Sequence, residues 1–329
     1  MFHRLLLLTF IFLIVNIMLL GAADINFRKY AGEFLEIGTD ARAQAMGGAF
    51  TASQGGVSSV FYNPAGIINI QSPQISFMHT QQMIASVNYD YLAGGIKQKD
   101  KRVIVMSMVR LGVDNIKDTR NAQRMVNQSG DWNLDWSQIE DFNASDYIFT
   151  LSAAQKWRES WTWGANLKLI RRNLADYSAN GLGIDLGIQK NILSHALIGL
   201  NFKNVTTTLI SWSTGEKELV SPSIHAGASY VWEIQRLNST FYPVLDLIFR
   251  AENRRESSTA NLGRLSFDYA AGLEYGYHNI LFLRAGVDEI QRFNVGVGLQ
   301  IPHVRIDYAF TNYDFELGNS HRIGLLVTF

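Results

Sequence analysis

The chain has 329 residues, 29 basic and 29 acidic, with no cysteine. Neutral net charge argues against a nucleic-acid binder, and the missing thiol excludes disulfide, zinc-finger and iron–sulfur scaffolds. Hydrophobic residues at 47% exclude a disordered chain. Charged residues are only 18%, against about 25% in soluble domains, while the mean hydropathy is zero.

Met1–Leu20 carries Arg4 and then an apolar run to Leu20, followed by Gly21-Ala22-Ala23. That is the pattern of a secretory signal, with cleavage expected after Ala23. The run is shorter than the roughly 20 residues a spanning helix needs.

Residues 24–73 hold no alternating run. Gly38–Gly48 reads as a short capped helix stopped by glycines. Val57–Tyr62 reads as a second short turn, ended by Asn63-Pro64-Ala65-Gly66.

From residue 74 onward the periodicity is two. Phe293, Val295, Val297, Leu299 and Ile301 alternate with Asn294, Gly296, Gly298 and Gln300, for example. Fourteen such segments are expected: 74–80, 84–96, 101–112, 146–157, 161–173, 180–190, 195–204, 221–232, 240–251, 265–277, 280–287, 291–301, 304–311 and 320–329. Most match the length of a tilted transmembrane β-strand, about 9–11 residues. Their odd-numbered connections, led by 113–145, 205–220 and 252–264, are together several times longer than the even-numbered ones. Outer-membrane barrels sort loop length in this way, with short periplasmic turns and long external loops.

One strand face is apolar, with Trp157, Trp161, Trp163 and Trp232 near strand ends, as in an interfacial aromatic girdle. The other carries Lys168, Arg172, Asp185, His225, Asp246, Arg250, Asp268, Glu274, Arg284, Arg305, Asp307 and Arg322. Such charges are costly in a dry core unless paired, but not in a wet or plugged lumen. The fold expected is therefore all-β: a 14-stranded antiparallel transmembrane barrel in a bacterial outer membrane. Its parts are a signal at 1–23, an N-terminal plug at 24–73 and a barrel at 74–329. Balanced lumen charges suit a plug better than an ion-selective pore. Arg42 is expected to anchor the plug to a lumen carboxylate such as Asp185 or Asp268.

Gly38-x-x-Ala41-Arg42-Ala43-x-Ala45-Met46-Gly47-Gly48-Ala49 and Phe61-Tyr62-Asn63-Pro64-Ala65-Gly66 resemble the N-terminal signature of the PorV/PorQ family. Gly181–Gly187 and the stretch from Asp307 to Ile323 are similar to it as well. The wider superfamily is that of FadL, 14-stranded barrels whose hatch bears an Asn-Pro-Ala turn, matched by Asn63-Pro64-Ala65. The resemblance implies two functions. The first is a barrel serving type IX secretion that binds cargo or partner proteins through its outer loops. The second is FadL-like passage of hydrophobic small molecules. Short outer loops count against an extensive cargo-binding canopy.

In the long third connection, Trp132, Leu134, Trp136 and Phe142 are candidate contacts for a protein partner or apolar ligand. Asp131-x-Asn133-x-Asp135 echoes a calcium loop, but Trp136 stands where that loop needs Gly and Phe142 where it needs Glu. No nucleophile motif surrounds a serine, so no catalytic residue, metal or cofactor is expected. The terminal aromatic Phe329 matches the signal read by the barrel assembly machinery, which with membrane lipid completes the expected partners.

Overall fold

The computed structural model describes residues 32–82, 87–98, 101–125, 132–252, 254, 258–263, 265–313 and 318–329. The signal expected at 1–23 lies outside them.

Fourteen antiparallel strands close into a barrel: β1 (Gln74–Gln82), β2 (Val87–Lys97), β3 (Arg102–Asp118), β4 (Glu140–Arg158), β5 (Trp161–Leu174), β6 (Tyr177–Leu193), β7 (Ala196–Lys203), β8 (Ser223–Tyr230), β9 (Ser239–Arg250), β10 (Leu265–Tyr277), β11 (Leu281–Val287), β12 (Phe293–Ile301), β13 (Val304–Thr311) and β14 (Ser320–Thr328). Each pairs with its chain neighbour, and β14 returns to β1 with Gln74 opposite Thr328 and Gln81 opposite His321. Closure leaves no unpaired edge, which a strand in lipid cannot tolerate.

The period-2 pattern sets the two faces. On β14, Ile323 and Leu325 point outward while Arg322 lies inside at 2% exposure. The same split runs around the barrel, with Phe77, Leu92, Met106, Leu151, Leu167 and Leu283 on the outside. Of the charges read from the sequence as one polar face, ten are buried, from Lys168 to Arg322. Arg172 and Arg305 are half-buried.

The third connection is shorter than the alternation implied. β3 and β4 stay paired past a bulge between Val113 and Ile116, as far as Asp118 opposite Glu140. Phe142 therefore sits on β4 opposite Ile116 rather than on a loop. Alternation was lost there because the bulge shifts the register by an extra residue. Between β7 and β8 the chain makes a hairpin, Thr208–Trp212 with Lys217–Val220. Its first arm takes over beside β6, where β7 has left, with Leu209 opposite Leu182. The crossing uses Asn204 and Thr207 at φ 55 and 61.

Inside the barrel lie residues 32–70, built from short helical turns. Helix α1 (Ala41–Ala45) is capped by Asp40, whose carboxylate accepts from the Arg42 and Ala43 backbone N–H groups. It stops at Gly47 and Gly48, both at positive φ, the conformation that favours glycine. Helix α2 (Ser59–Tyr62) ends at Asn63, which caps the 3-10 turn Pro64–Asn69. Pro64 occupies the first position of that turn, where its missing N–H costs nothing.

Candidate functional site: the plugged lumen

An irregular segment buried in a barrel must satisfy its own backbone groups, and here the inner wall does so. Asp246 on β9 accepts from Phe50 N at 2.9 Å and Thr51 N at 3.0 Å. Gln189 on β6 donates to Thr51 O and Ser53 O, both at 3.0 Å. Asn166 on β5 donates to Val60 O at 2.9 Å, Asn201 on β7 to Tyr62 O at 2.7 Å, and Ser229 on β8 to Ala52 O at 2.6 Å. Sequence reading did not single out these uncharged partners. Their signal was present: they stand at inward parity on strands whose outward positions are apolar.

The motif residues sit at this interface. Asn63 donates to Thr51 O at 2.9 Å and, more weakly, to Leu200 O and Ile188 O, while its side-chain oxygen accepts from Ala65 N at 3.0 Å. One side chain thereby ties the hatch turn to β6 and β7. Close approach is possible because the wall presents glycine. A Cβ on Gly187 would stand 2.0 Å from Asn63 Oδ1, and one on Gly286 would stand 2.3 Å from the Met46 carbonyl carbon. Conversely, a Cβ on Gly47 would stand 2.2 Å from Val287 O, and one on Gly66 would stand 2.7 Å from Ser53 O.

Arg42 reaches a lumen carboxylate, but that of Glu274 rather than Asp185 or Asp268. Its Nε and one terminal nitrogen each lie 2.7 Å from a Glu274 oxygen, a bidentate geometry. Asp185 and Asp268 are already engaged elsewhere. Lys168 Nζ lies 2.6 Å from Asp185, and Arg250 lies 3.1 Å from Asp268. From Glu274 the network runs on to Arg284 at 2.6 Å, then Asp307 at 2.8 Å, then Arg305 at 2.8 Å. At the long-loop end, Glu36 of the plug pairs with Lys203 at 3.2 Å and lies 3.8 Å from Arg250. Burial would raise the Glu36 carboxyl, but the Lys203 ammonium and Arg250 guanidinium override it and hold the group at about 2. Glu33 pairs with Arg254 at 2.7 Å.

The lumen is not polar all round. Inward positions of β3–β6 and the hairpin toward the long loops are Val109, Ile148, Ile170, Ala179, Ile210 and Val220, packed into one apolar cluster with Phe34 and Leu35 of the plug. The guanidinium of Arg172 closes the top of this stripe. It is paired with Asp146 and Glu218 and stands over the Phe34 ring at 4.5 Å and the Trp212 ring at 5.2 Å. The space left between plug and wall on this side, about 40 Å³, admits a water or two and no hydrocarbon ring.

Among the loop candidates, Trp136 is 78% exposed, and Trp132–Leu134 pairs with Gln123–Met125 in a two-stranded turn. The Asp135 carboxylate accepts from the Ser137 backbone and hydroxyl, and Asp131 lies outside the described residues. Among the described residues no group of three His, Asp or Glu is placed to hold a metal. Phe329 is exposed at the short-turn end, its N–H on Pro73 O at 3.0 Å.

No family model matches the chain. No curated protein matches it in sequence either. Its fold, by contrast, is that of solved structures. The toluene transporter TbuX of Ralstonia pickettii superposes with a TM-score of 0.57 at 12% identity, covering 89% of this chain and 98% of that one. The P. putida toluene transporter TodX gives 0.55 at 11%, covering 87% and 97%. The monoaromatic hydrocarbon channel CymD gives 0.57 at 13%, covering 89% and 98%. The chain therefore has the fold of FadL-like outer-membrane barrels. Its location is the bacterial outer membrane, where the short turns face the periplasm and the long loops the exterior.

Proposed function

We propose that this barrel is a gated conduit for hydrophobic small molecules across the outer membrane, held shut by its plug in the state described. The observation that carries this reading is the apolar inner stripe of β3–β6 toward the long loops, capped by Phe34 and Leu35, in a lumen that elsewhere holds buried ion pairs. A polar solute gains nothing from such a wall, whereas an apolar one gains about 25 cal/mol for every Å² it buries. The shared fold with toluene and monoaromatic hydrocarbon channels supports the same substrate class. Because the remaining space is too small for a ring, passage requires Phe34 and Leu35 to swing off the stripe.

The test is toluene uptake by cells producing the barrel. Ile148→Asp, which puts a charge on the stripe, is expected to reduce uptake at least tenfold, and Phe34→Ala to increase it. Unchanged uptake in both variants, with normal amounts of folded barrel, contradicts the reading.

The secretion role implied by the PorV/PorQ resemblance finds no support in the structural neighbours. One observation favours partner binding as a second reading: the exposed Trp136 at the outer rim. Stoichiometric recovery of a secreted protein with the purified barrel, lost in Trp136→Ala, is the result that reading requires.

A further inference from the structure

The periplasmic ends of β4, β5 and β6 carry a group of outward side chains that neither the plug nor the lumen uses. Trp157 and Trp163 are exposed on the lipid-facing wall, directly below the apolar band of Leu151, Leu167 and Leu169. By register, Trp161 stands between Arg158 of β4 and Lys190 of β6. The Lys190 ammonium lies 4.9 Å from the Trp161 ring and the Arg158 guanidinium 5.5 Å from the Trp157 ring, both cation–π distances. A bulge between Lys156 and Arg158 shifts the β4–β5 register at Trp157, and both Trp157 and Arg158 are exposed there. The turn is fixed to β6 by Asn191 N–H on Ser160 O at 2.9 Å.

Among the described residues, neither Arg158 nor Lys190 has an acidic side chain within ion-pair distance. They contrast with the lumen cations Arg42, Lys168, Arg250 and Arg284, which are all paired. Two cations beside three indoles, at the level where the lipid-facing wall meets the periplasmic water layer, complement one ligand in charge and position. We propose that this patch binds the headgroup of an anionic phospholipid in the periplasmic leaflet. The cations take the phosphate oxygens, the indoles take the glycerol and ester region, and Ile188, on the membrane side of Lys190, meets the acyl chains. The exposed Trp163 and Leu167 that continue from the patch up the outer wall fit a lipid better than a soluble periplasmic protein.

The experiment uses the full barrel in phosphatidylcholine bilayers, with tryptophan emission quenched by brominated phosphatidylglycerol or by brominated phosphatidylcholine. The anionic lipid is expected to associate about fivefold more strongly per surface cation engaged. That preference is expected to vanish in Arg158→Gln/Lys190→Gln, which keeps every tryptophan, and to persist in Lys217→Gln on an outer loop. Equal quenching by the two lipids in the unaltered barrel overturns the proposal, as does a preference retained by the double variant. If the double variant does not refold, a salt series on the unaltered barrel decides. A headgroup preference held by these exposed cations falls steeply between 0.05 and 0.5 M salt, and one that does not fall contradicts the proposal.

Discussion

At the scale of single residues, Glu274 is the hub of the plug–wall contact, because it serves Arg42 of the plug and Arg284 of β11 at once. Removing one partner of a buried pair leaves the other uncompensated, at about 3–5 kcal/mol. Glu274→Ala strands the buried Arg42 guanidinium and leaves Arg284 with Asp307 alone. Arg42→Ala strands none, since Glu274 keeps Arg284. The glutamate variant is therefore expected to lose more stability than the arginine variant in denaturant unfolding of the detergent-solubilised barrel, and equal losses contradict this. Glu36 gives a pH dependence. Its carboxyl is held at about 2 in the folded state against an ordinary 4.5, so it stabilises the folded plug above pH 4.5 and loses that contribution as pH falls toward 2. Hydrogen exchange at residues 33–37, corrected for intrinsic rate, is expected to lose protection as pH falls below 4.5 in the unaltered barrel and to lose less in Glu36→Gln, and equal losses contradict this. The sequence exposed Arg42 as an anchor but not its partner. Asp185, Asp268 and Glu274 all have inward parity, and only the fold shows that Lys168 and Arg250 already occupy the first two.

At the scale of elements, alternation placed all fourteen barrel strands, because a strand with one face toward lipid and one toward the lumen repeats at two wherever its pairing is regular. It failed between 113 and 145, where the bulge after Val113 breaks parity while the backbone pairing continues. The plug helices were legible through Asp40, Gly47 and Gly48, whose capping and stopping roles are local. The seats they occupy were not, because a glycine on a strand reads as a gap until its neighbour is known. These seats are testable. Gly187→Val and Gly286→Val place carbon inside the plug backbone or its Asn63 cap, while Gly94→Val meets nothing within 4 Å. In planar bilayers the first two are expected to raise ion conductance severalfold by unseating the plug, and the third to leave it unchanged. Equal conductance in all three argues that the seats are not what holds the plug.

At the scale of the whole molecule, zero mean hydropathy is the average of an apolar outer wall and a polar inner one, not the mark of a protein that lives in water. The low charge content was the better guide, since one face of every barrel strand looks toward lipid. What the sequence did not reveal is that the inner wall is itself divided. Val109, Ile148 and Ile170 share the inward parity of Lys168 and Asp185, and only closure of the barrel gathers them into one stripe beneath Phe34. The proposed conduit rests on that division. The most direct measurement is the rate at which cells producing the barrel take up toluene and a hydrophilic sugar of similar size, compared with cells lacking it. The account predicts barrel-dependent, saturable uptake of toluene and no change for the sugar. Toluene uptake independent of the barrel contradicts it.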